Sequence, residues 1–239
     1  MKRCICIIGS GNVATHLAKA FRDKADVTMV SPRTLAGLPA KADVYIIAVT
    51  DDAIPTVAQS LGEVDGIVVH TSGSTPMSAL LPYAARPGVL YPLQTFSKED
   101  TIDYSAIPVF VECNDEDDLK TLMQTAELFT DKIYIADEET RRRLHIAAVF
   151  SCNFVNHLLA ISSDILSKER LPLSILRPLI DKTIDKAFSL SNPALGQTGP
   201  AVRQDLSTID KHLSMLESTP EVRNLYQIIT QDIINYHSR

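Results

Sequence analysis

The sequence contains few of the residues that mark chains outside the ordinary globular class. It has 9 glycines, 13 prolines, 4 cysteines and no tryptophan among its 239 residues. So little glycine excludes a collagen-like chain, and a hydrophobic fraction of 45% is higher than disordered chains carry. The cysteines form neither a disulfide framework nor the paired spacing of a zinc site. We therefore expect a globular, cytoplasmic protein that holds no metal.

The chain also lacks an excess of positive charge. Its 23 basic and 29 acidic side chains give a formal net charge of -6, which argues against a surface that binds nucleic acid or an anionic membrane. The first apolar run ends at Gly9 and is too short for the core of a signal peptide. We interpret the later apolar runs as too short for a membrane span. We thus expect neither a membrane segment nor a nucleic-acid partner.

Short apolar runs alternate with helix-compatible stretches through the first half of the chain. The runs cover residues 3–8, 27–30, 44–49, 67–70, 89–91, 109–111 and 133–135. The stretches between them include 54–61, 78–84 and 116–129. Such alternation is typical of the α/β class with a doubly wound parallel sheet, in which crossover helices cover both faces. The sequence thus predicts a doubly wound domain over residues 1–137.

Beyond Asp137 no strand-like run appears, and helical patterns continue to the end of the chain. Asp137 can cap the first helix, whose pattern runs without glycine or proline to about Ser167. At 1.5 Å per residue this helix is on the order of 45 Å long, which is too long to be covered by one small domain. We expect an all-helical second domain over residues 138–239 that joins two copies of the chain into a homodimer.

A glycine-rich turn follows the first predicted strand. Residues 9–14 read Gly-Ser-Gly-Asn-Val-Ala and fit the G-x-G-x-x-G/A pattern at the start of a helix. In this pattern the glycines let a pyrophosphate approach the backbone, and the helix N–H groups bind it. The candidates for binding a dinucleotide in this turn are Gly9, Ser10, Gly11, Asn12 and Val13. A glycine-rich turn without a ligand is the alternative.

The end of the second predicted strand indicates which dinucleotide is bound. A carboxylate usually stands there to hold the ribose 2′-hydroxyl of NAD, but this sequence has Ser31 and Arg33 instead. A hydroxyl and a guanidinium suit the 2′-phosphate of NADP. Arg33 as an ordinary surface charge is the alternative.

Three further loops follow the carboxyl ends of predicted strands, where open α/β sheets bind ligands. The candidates beside the cofactor ribose and nicotinamide are Val49, Thr50, Thr71 and Ser72. Gln94 and Thr95, after the fifth strand, are expected to bind substrate near the reacting carbon. Ordinary turn chemistry is the alternative for each loop.

The long helix carries polar residues within an apolar stretch. His145, Cys152 and Asn156 recur at helical spacing on one face, with Asn153 at its edge. An unpaired buried polar group costs on the order of 1–3 kcal/mol, so these side chains need either a site or structural hydrogen bonds. His145 is the candidate proton donor, because imidazole exchanges protons near neutral pH. Asn153 and Asn156 are the candidates for holding the reacting group.

A second polar row borders the predicted helix that follows Pro200. Asp205, Thr208 and His212 are three and four residues apart beside an apolar stripe. Arg203 points to another side and suits an anionic substrate or a partner subunit. We expect Arg203, Asp205 and His212 to bind substrate, with a solvated surface row as the alternative.

Four segments together resemble a known family. They are residues 9–14, 91–97, 145–154 and 198–205. The first is generic, and the other three are specific in combination. The sequence resembles Rossmann-like oxidoreductases with an uncharacterised C-terminal helical domain. These are labelled deazaflavin-dependent NADP oxidoreductase-like and are related to pyrroline-5-carboxylate reductases and the 6-phosphogluconate dehydrogenase superfamily.

The resemblance covers nearly the whole chain and implies an NADP-binding fold and a dimer joined through the helical domain. It implies no substrate. His145 stands near the place where hydroxyacid dehydrogenase relatives carry a catalytic lysine. Motifs and resemblance together predict an oxidoreductase that transfers a hydride between NADPH and a small carbonyl or imine compound. The alternative is an NADP-binding sensor or scaffold without catalytic activity.

Overall fold

The structure is a computed structural model that describes residues 2–238. Its first part is a seven-stranded sheet. The strands are β1 (Cys4–Ile8), β2 (Asp26–Val30), β3 (Lys41–Ile47), β4 (Asp65–His70), β5 (Pro87–Pro92), β6 (Val109–Cys113) and β7 (Ile133–Ile135). Each contains one of the apolar runs or most of it, so all seven predicted strands are confirmed.

The sheet is parallel except at one pair of strands. Its order is β2-β1-β3-β4-β5-β6-β7, so the order reverses next to β1 and opens the crevice in which doubly wound sheets bind ligands. β5 and β6 run antiparallel, with Leu90 opposite Val111. The chain between them forms only the short 3₁₀ turn Tyr104–Ala106, without the crossover helix that usually joins two parallel strands. The doubly wound α/β fold is confirmed, and the expectation of a wholly parallel sheet is wrong at β6.

Helices flank the sheet in the first part of the chain and form the described chain after β7. Within residues 2–238 the α-helices are α1 (Asn12–Phe21), α2 (Ile54–Leu61), α3 (Glu116–Ala126), α4 (Glu138–Ala148), α5 (Val155–Ser167), α6 (Arg177–Ser189), α7 (Leu206–Met215) and α8 (Pro220–His237). The helix expected over residues 78–84 is only a 3₁₀ turn at Met77–Ala79. Pro82 interrupts that segment, because proline lacks the N–H that an α-helix interior needs.

Both faces of the sheet are buried, as a doubly wound sheet requires. Successive residues of β1, such as Ile7 and Ile8, belong to two separate apolar clusters, one on each face. On the first face Phe21 of α1 meets Phe129 edge to face, with ring centroids 5.2 Å apart.

The chain after β7 is helical, as predicted. Asp137 caps α4, and its carboxylate accepts the N–H of Thr140 at 2.8 Å. The segment Val149–Phe154, between α4 and α5, is a π-helix. A π-helical turn holds more residues than an α-helical turn. The α-helical spacing that groups His145 with Asn156 therefore does not apply through this segment.

The chain divides into two compact units after Asn153, later than the boundary expected at 137/138. Arg141 is one reason why α4 belongs with the sheet, since its side chain is fully buried. Its guanidinium donates to the carbonyl oxygen of Thr75 at 2.8 Å and pairs with the carboxylate of Glu112 at 2.8 Å. The second unit begins at Phe154 and is all-helical.

The long helix contains an uncharged run that is longer than we expect from the apolar patterns. Residues 144–163 contain no Asp, Glu, Lys or Arg. The helix Glu138–Ser167 is long and apolar enough to cross a membrane, by length and composition only, and none of its most apolar window is buried. The expectation that every run is too short is therefore wrong. The histidine, serine and asparagine residues in this run lower its mean hydropathy only to 1.6.

We expect Arg141→Met to lower the free energy of unfolding by about 3 kcal/mol, the order for a buried ion pair that loses one partner. The substitution removes donors to three carbonyl oxygens and leaves the Glu112 carboxylate without its cation. Urea denaturation measures the effect. Arg143→Met is the matched control, because Arg143 forms an exposed salt bridge with Glu139 on the same helix, and such bridges contribute little. Equal losses in the two variants would contradict the role assigned to Arg141.

Candidate functional site

The turn between β1 and α1 has the shape that a dinucleotide requires. A β-carbon on Gly9 would lie 2.2 Å from the carbonyl oxygen of Ala48, so only glycine fits there. A β-carbon on Gly11 would meet nothing within 4 Å, and no side chain caps the N-terminus of α1 at this residue. The first N–H groups of the helix are therefore open to an anion such as a phosphate.

This turn forms one wall of a pocket of about 550 Å³. The pocket also includes residues that follow β2 and β3. The sequence-predicted residues in its lining are Ser10, Gly11, Asn12, Val13, Arg33, Val49 and Thr50. Ser31 is exposed and outside the lining, and its hydroxyl accepts the N–H of Arg33 at 3.3 Å. The structure thus brings most of the predicted cofactor residues together in one pocket.

The loop after β4 has a different role from the one its polar residues suggest. The hydroxyl of Ser72 accepts the N–H groups of Ser74 and Thr75 at 3.1 and 2.9 Å, so it shapes the turn. The hydroxyl of Ser74 donates to Asp51 in the loop after β3. Neither Thr71 nor Ser72 lines the first pocket. Their contact with the cofactor stays a prediction.

A second pocket, of about 630 Å³, adjoins the first. It is lined by the start of α1, the loop after β5 and the helix residues 144–153. The sequence-predicted residues in its lining are Asn12, Val13, Gln94, Thr95, His145 and Asn153. Asn12 and Val13 line both pockets. Cofactor and substrate candidates therefore lie side by side.

Two side chains of α1, Asn12 and His16, hold the loop after β5. The sequence predicts cofactor binding for Asn12 and gives no role to His16. The amide of Asn12 donates to the carbonyl oxygen of Phe96 at 2.8 Å. His16 is fully buried, and its Nε2 lies 2.7 Å from the carbonyl oxygen of Ser97. That nitrogen must donate, because a carbonyl only accepts, so Nδ1 accepts from the Tyr104 hydroxyl at 3.0 Å.

Tyr91 and His145 meet inside the second pocket. Tyr91 lies near the end of β5, and its hydroxyl is 3.2 Å from Nδ1 of His145 on α4. Burial raises the pKa of Tyr91, and the charge of Arg141 opposes this in part. The phenol therefore keeps its proton at neutral pH. The motif 91–97 contained this tyrosine, but only the fold shows that it faces the imidazole.

The lining of the second pocket contains no permanently charged side chain. Its polar groups are hydroxyl, amide and thiol groups, and none of the lining residues is Asp, Glu, Lys or Arg. Within the part of the chain that the structure describes, no cluster of His, Cys, Asp or Glu could hold a metal ion. The pocket can therefore orient a substrate through neutral hydrogen bonds and exchange a proton through one imidazole.

His70, the last residue of β4, is fully buried. Burial lowers the pKa of His70 to about 4, and the charge of Arg141 acts in the same direction. The Nδ1 of His70 accepts the N–H of Ser72 at 3.2 Å, so the neutral ring carries its proton on Nε2. Arg141 lies one turn before His145 on the same face of the helix.

The remaining candidates lie in the second unit, where each has a structural contact or is exposed. Asp205 caps α7 and accepts the N–H and hydroxyl of Thr208 at 3.1 and 2.8 Å. Nδ1 of His212 lies 2.8 Å from the hydroxyl of Tyr226. Arg203 and Asn156 are exposed. The substrate-binding roles of Arg203, Asp205 and His212, and the role of Asn156 in catalysis, stay predictions.

Comparison with known proteins places the chain in a family. A family model described as "Domain of unknown function (DUF2520)" matches residues 107–233. A search of curated proteins finds no match.

Solved structures share the fold over nearly the full length. A Bacteroides fragilis protein described as a "putative NADP oxidoreductase" is 36% identical, with a TM-score of 0.89, and the match covers 100% of this chain and 99% of that chain. A reductive aminase from Aspergillus terreus, in complex with NADPH and ethyl levulinate, is 12% identical with a TM-score of 0.73, covering 99% and 95%. A 1-pyrroline-5-carboxylate reductase from Streptococcus pyogenes is 12% identical with a TM-score of 0.59, covering 97% and 98%. The last two similarities show the fold alone.

We expect the buried His70 to make the fold sensitive to acid. Between pH 6.5 and about 4 the histidine of the unfolded chain takes up a proton that folded His70 does not. Stability is therefore lost as pH falls through this window, by on the order of 3 kcal/mol in total. Urea denaturation at several pH values should show a shallower pH dependence for His70→Gln than for the wild type. His157→Gln, which removes an exposed imidazole, is the control, and identical slopes for wild type and His70→Gln would refute the prediction.

Proposed function

The chain belongs to the DUF2520 family, and we propose that it is an NADP-dependent oxidoreductase that transfers a hydride between NADPH and a small carbonyl or imine compound. One observation carries the proposal: the pocket at the glycine turn and the pocket at His145 share Asn12 and Val13. A cofactor in the first pocket and a substrate in the second would therefore be neighbours.

The residues of the first pocket fit a dinucleotide. Gly9 allows the turn to lie against β3, Gly11 leaves space above the backbone, and the N-terminus of α1 has no side-chain cap. Ser31 and Arg33 would hold the 2′-phosphate, since no carboxylate follows β2 at this place. The description of the Bacteroides fragilis protein as an NADP oxidoreductase supports the same cofactor.

The second pocket suits a carbonyl or imine group. When bound, the cofactor supplies the hydride for the carbon atom. His145 gives the proton that the oxygen or nitrogen atom needs as the double bond opens. Gln94, Thr95 and Asn153 orient that atom by neutral hydrogen bonds.

We further propose a homodimer joined through the helical domain. Large apolar side chains of the second unit are exposed, including Leu179 at 66%, Phe188 at 87% and Met215 at 78%. A second copy would cover such surfaces. The long apolar helix would then contact protein rather than lipid, in keeping with a cytoplasmic protein. Light scattering without detergent should give twice the 26.3 kDa chain mass. A monomer, or a chain that stays in solution only with detergent, would contradict this.

Arg33→Ala should weaken NADPH binding by about 1.5–3 kcal/mol, the range for a hydrogen bond to a charged group. NADH lacks the 2′-phosphate, so its affinity should change little. Isothermal titration calorimetry measures both. Arg22→Ala, which removes an exposed arginine after α1, is the control. Equal losses for NADPH and NADH would count against the assignment of Arg33.

His145→Ala should lower turnover by about 10²–10⁴-fold, the usual worth of a general acid, without weakening NADPH binding. The substrate is first identified by following NADPH consumption over aldehydes, ketones, cyclic imines and deazaflavins. His157→Ala is the matched control, because His157 is exposed on α5. A His145→Ala variant with a lower melting temperature and unchanged turnover would assign His145 a structural role instead. Tight NADPH binding with every compound inert would favour a sensor or scaffold.

A further inference from the structure

We propose that Tyr91 is a positioning residue for His145, and that its hydroxyl fixes the tautomer and orientation of the imidazole. The inference rests on the proposed function for what the imidazole does with its proton. Its geometry, however, concerns three residues of the first unit alone, so it can be tested without a substrate.

The two side chains come from different elements and meet in a defined geometry. Tyr91 is buried near the end of β5, and His145 is half-buried on α4. The phenol oxygen lies 3.2 Å from Nδ1, and the rings are inclined at 66° with centroids 6.2 Å apart. The hydrogen bond therefore joins the strand end to the helix at the wall of the second pocket.

A phenol is suited to both protonation states of its partner. Tyr91 stays protonated because burial raises its pKa. A phenol O–H is a stronger donor than acceptor, and a neutral imidazole nitrogen is a stronger acceptor than a phenol oxygen, so the favoured pairing with neutral His145 has the hydroxyl donating to Nδ1. The ring proton then stands on Nε2. When His145 is charged, Nδ1–H donates to the phenol oxygen instead, since a hydroxyl both donates and accepts. The contact therefore persists before and after His145 gives up a proton.

Gly73 leaves the space in which the pair meets. A β-carbon at this residue would lie 2.7 Å from Nδ1 of His145 and 2.8 Å from Cζ of Tyr91. Both distances are shorter than any ordinary carbon contact, so a larger residue would push the rings away. The turn cannot easily retreat, because the guanidinium of Arg141 lies beneath it and donates to the carbonyl oxygen of Thr75. The glycine is thus required by the close approach of two side chains.

NMR of the His145 ring nitrogens determines its tautomer directly. The full-length protein is labelled with ¹⁵N-histidine, and the His145 signals are assigned by their loss in His145→Gln. We expect Nε2–H to dominate in the neutral wild-type ring. In Tyr91→Phe the ratio of Nε2–H to Nδ1–H should fall by about fivefold, the ratio that a typical hydrogen bond supports. An unchanged ratio would overturn the proposal.

Tyr45→Phe is the matched control. Tyr45 is fully buried on β3, and its hydroxyl donates to the carbonyl oxygen of Pro39 at 2.8 Å. Removing this hydroxyl costs a comparable hydrogen bond away from His145. The His145 ratio should stay as in the wild type. A similar fall in Tyr45→Phe would mean that general loosening of the sheet causes the effect, which also overturns the proposal.

Gly73→Ala supplies a second variant in which Tyr91 is kept. The ratio should fall as in Tyr91→Phe, because the added methyl separates the two rings. A folded Gly73→Ala variant with the wild-type ratio would overturn the role given to Gly73, and if this variant does not fold, Tyr91→Phe decides. Failure of the proposed function gives a different result. Full turnover in His145→Ala would refute that function and leave the tautomer result intact.

Discussion

The arrangement of the first unit depends on the contacts that the buried guanidinium of Arg141 makes. A charge removed from water must be paired and hydrogen-bonded. Arg141 has its counter-ion in Glu112 of β6 and accepting carbonyl oxygens in the turn after β4. The first turn of α4 is therefore held against two strand ends at once. His145 lies one helical turn further along, which places it beside Tyr91.

The sequence predicts the features that follow from short-range patterns. Apolar runs locate all seven strands, and the glycine pattern locates the turn at Gly9. Arg33 and Thr50 line one pocket, because each closely follows a strand and the carboxyl ends of neighbouring parallel strands share one edge. Topology alone brings such residues together. The antiparallel direction of β6 is not predictable from these patterns, because it depends on the chain between β5 and β6 forming no crossover helix.

The features that the sequence does not reveal depend on which face of an element is covered. Arg141 is the first of three consecutive arginines, and nothing in that run distinguishes the buried one from its exposed neighbours. Asp205 stands beside an apolar stripe, a place that predicts a ligand group, and only the structure shows that its carboxylate also caps α7. The π-helix at Val149–Phe154 leaves no periodic signal. It therefore undermines any argument from spacing that passes through it.

Polar contacts add a fixed register to the apolar packing between the loop after β5 and α1. The loop after β5 has little regular structure, and apolar packing alone would let it slide along α1. Asn12 and His16 prevent this, because hydrogen bonds to the carbonyl oxygens of Phe96 and Ser97 are satisfied in one register only. Asn12 and His16 both belong to α1, whose first residue directly follows the glycine turn. The glycine turn and the loop after β5 are therefore held by one rigid element.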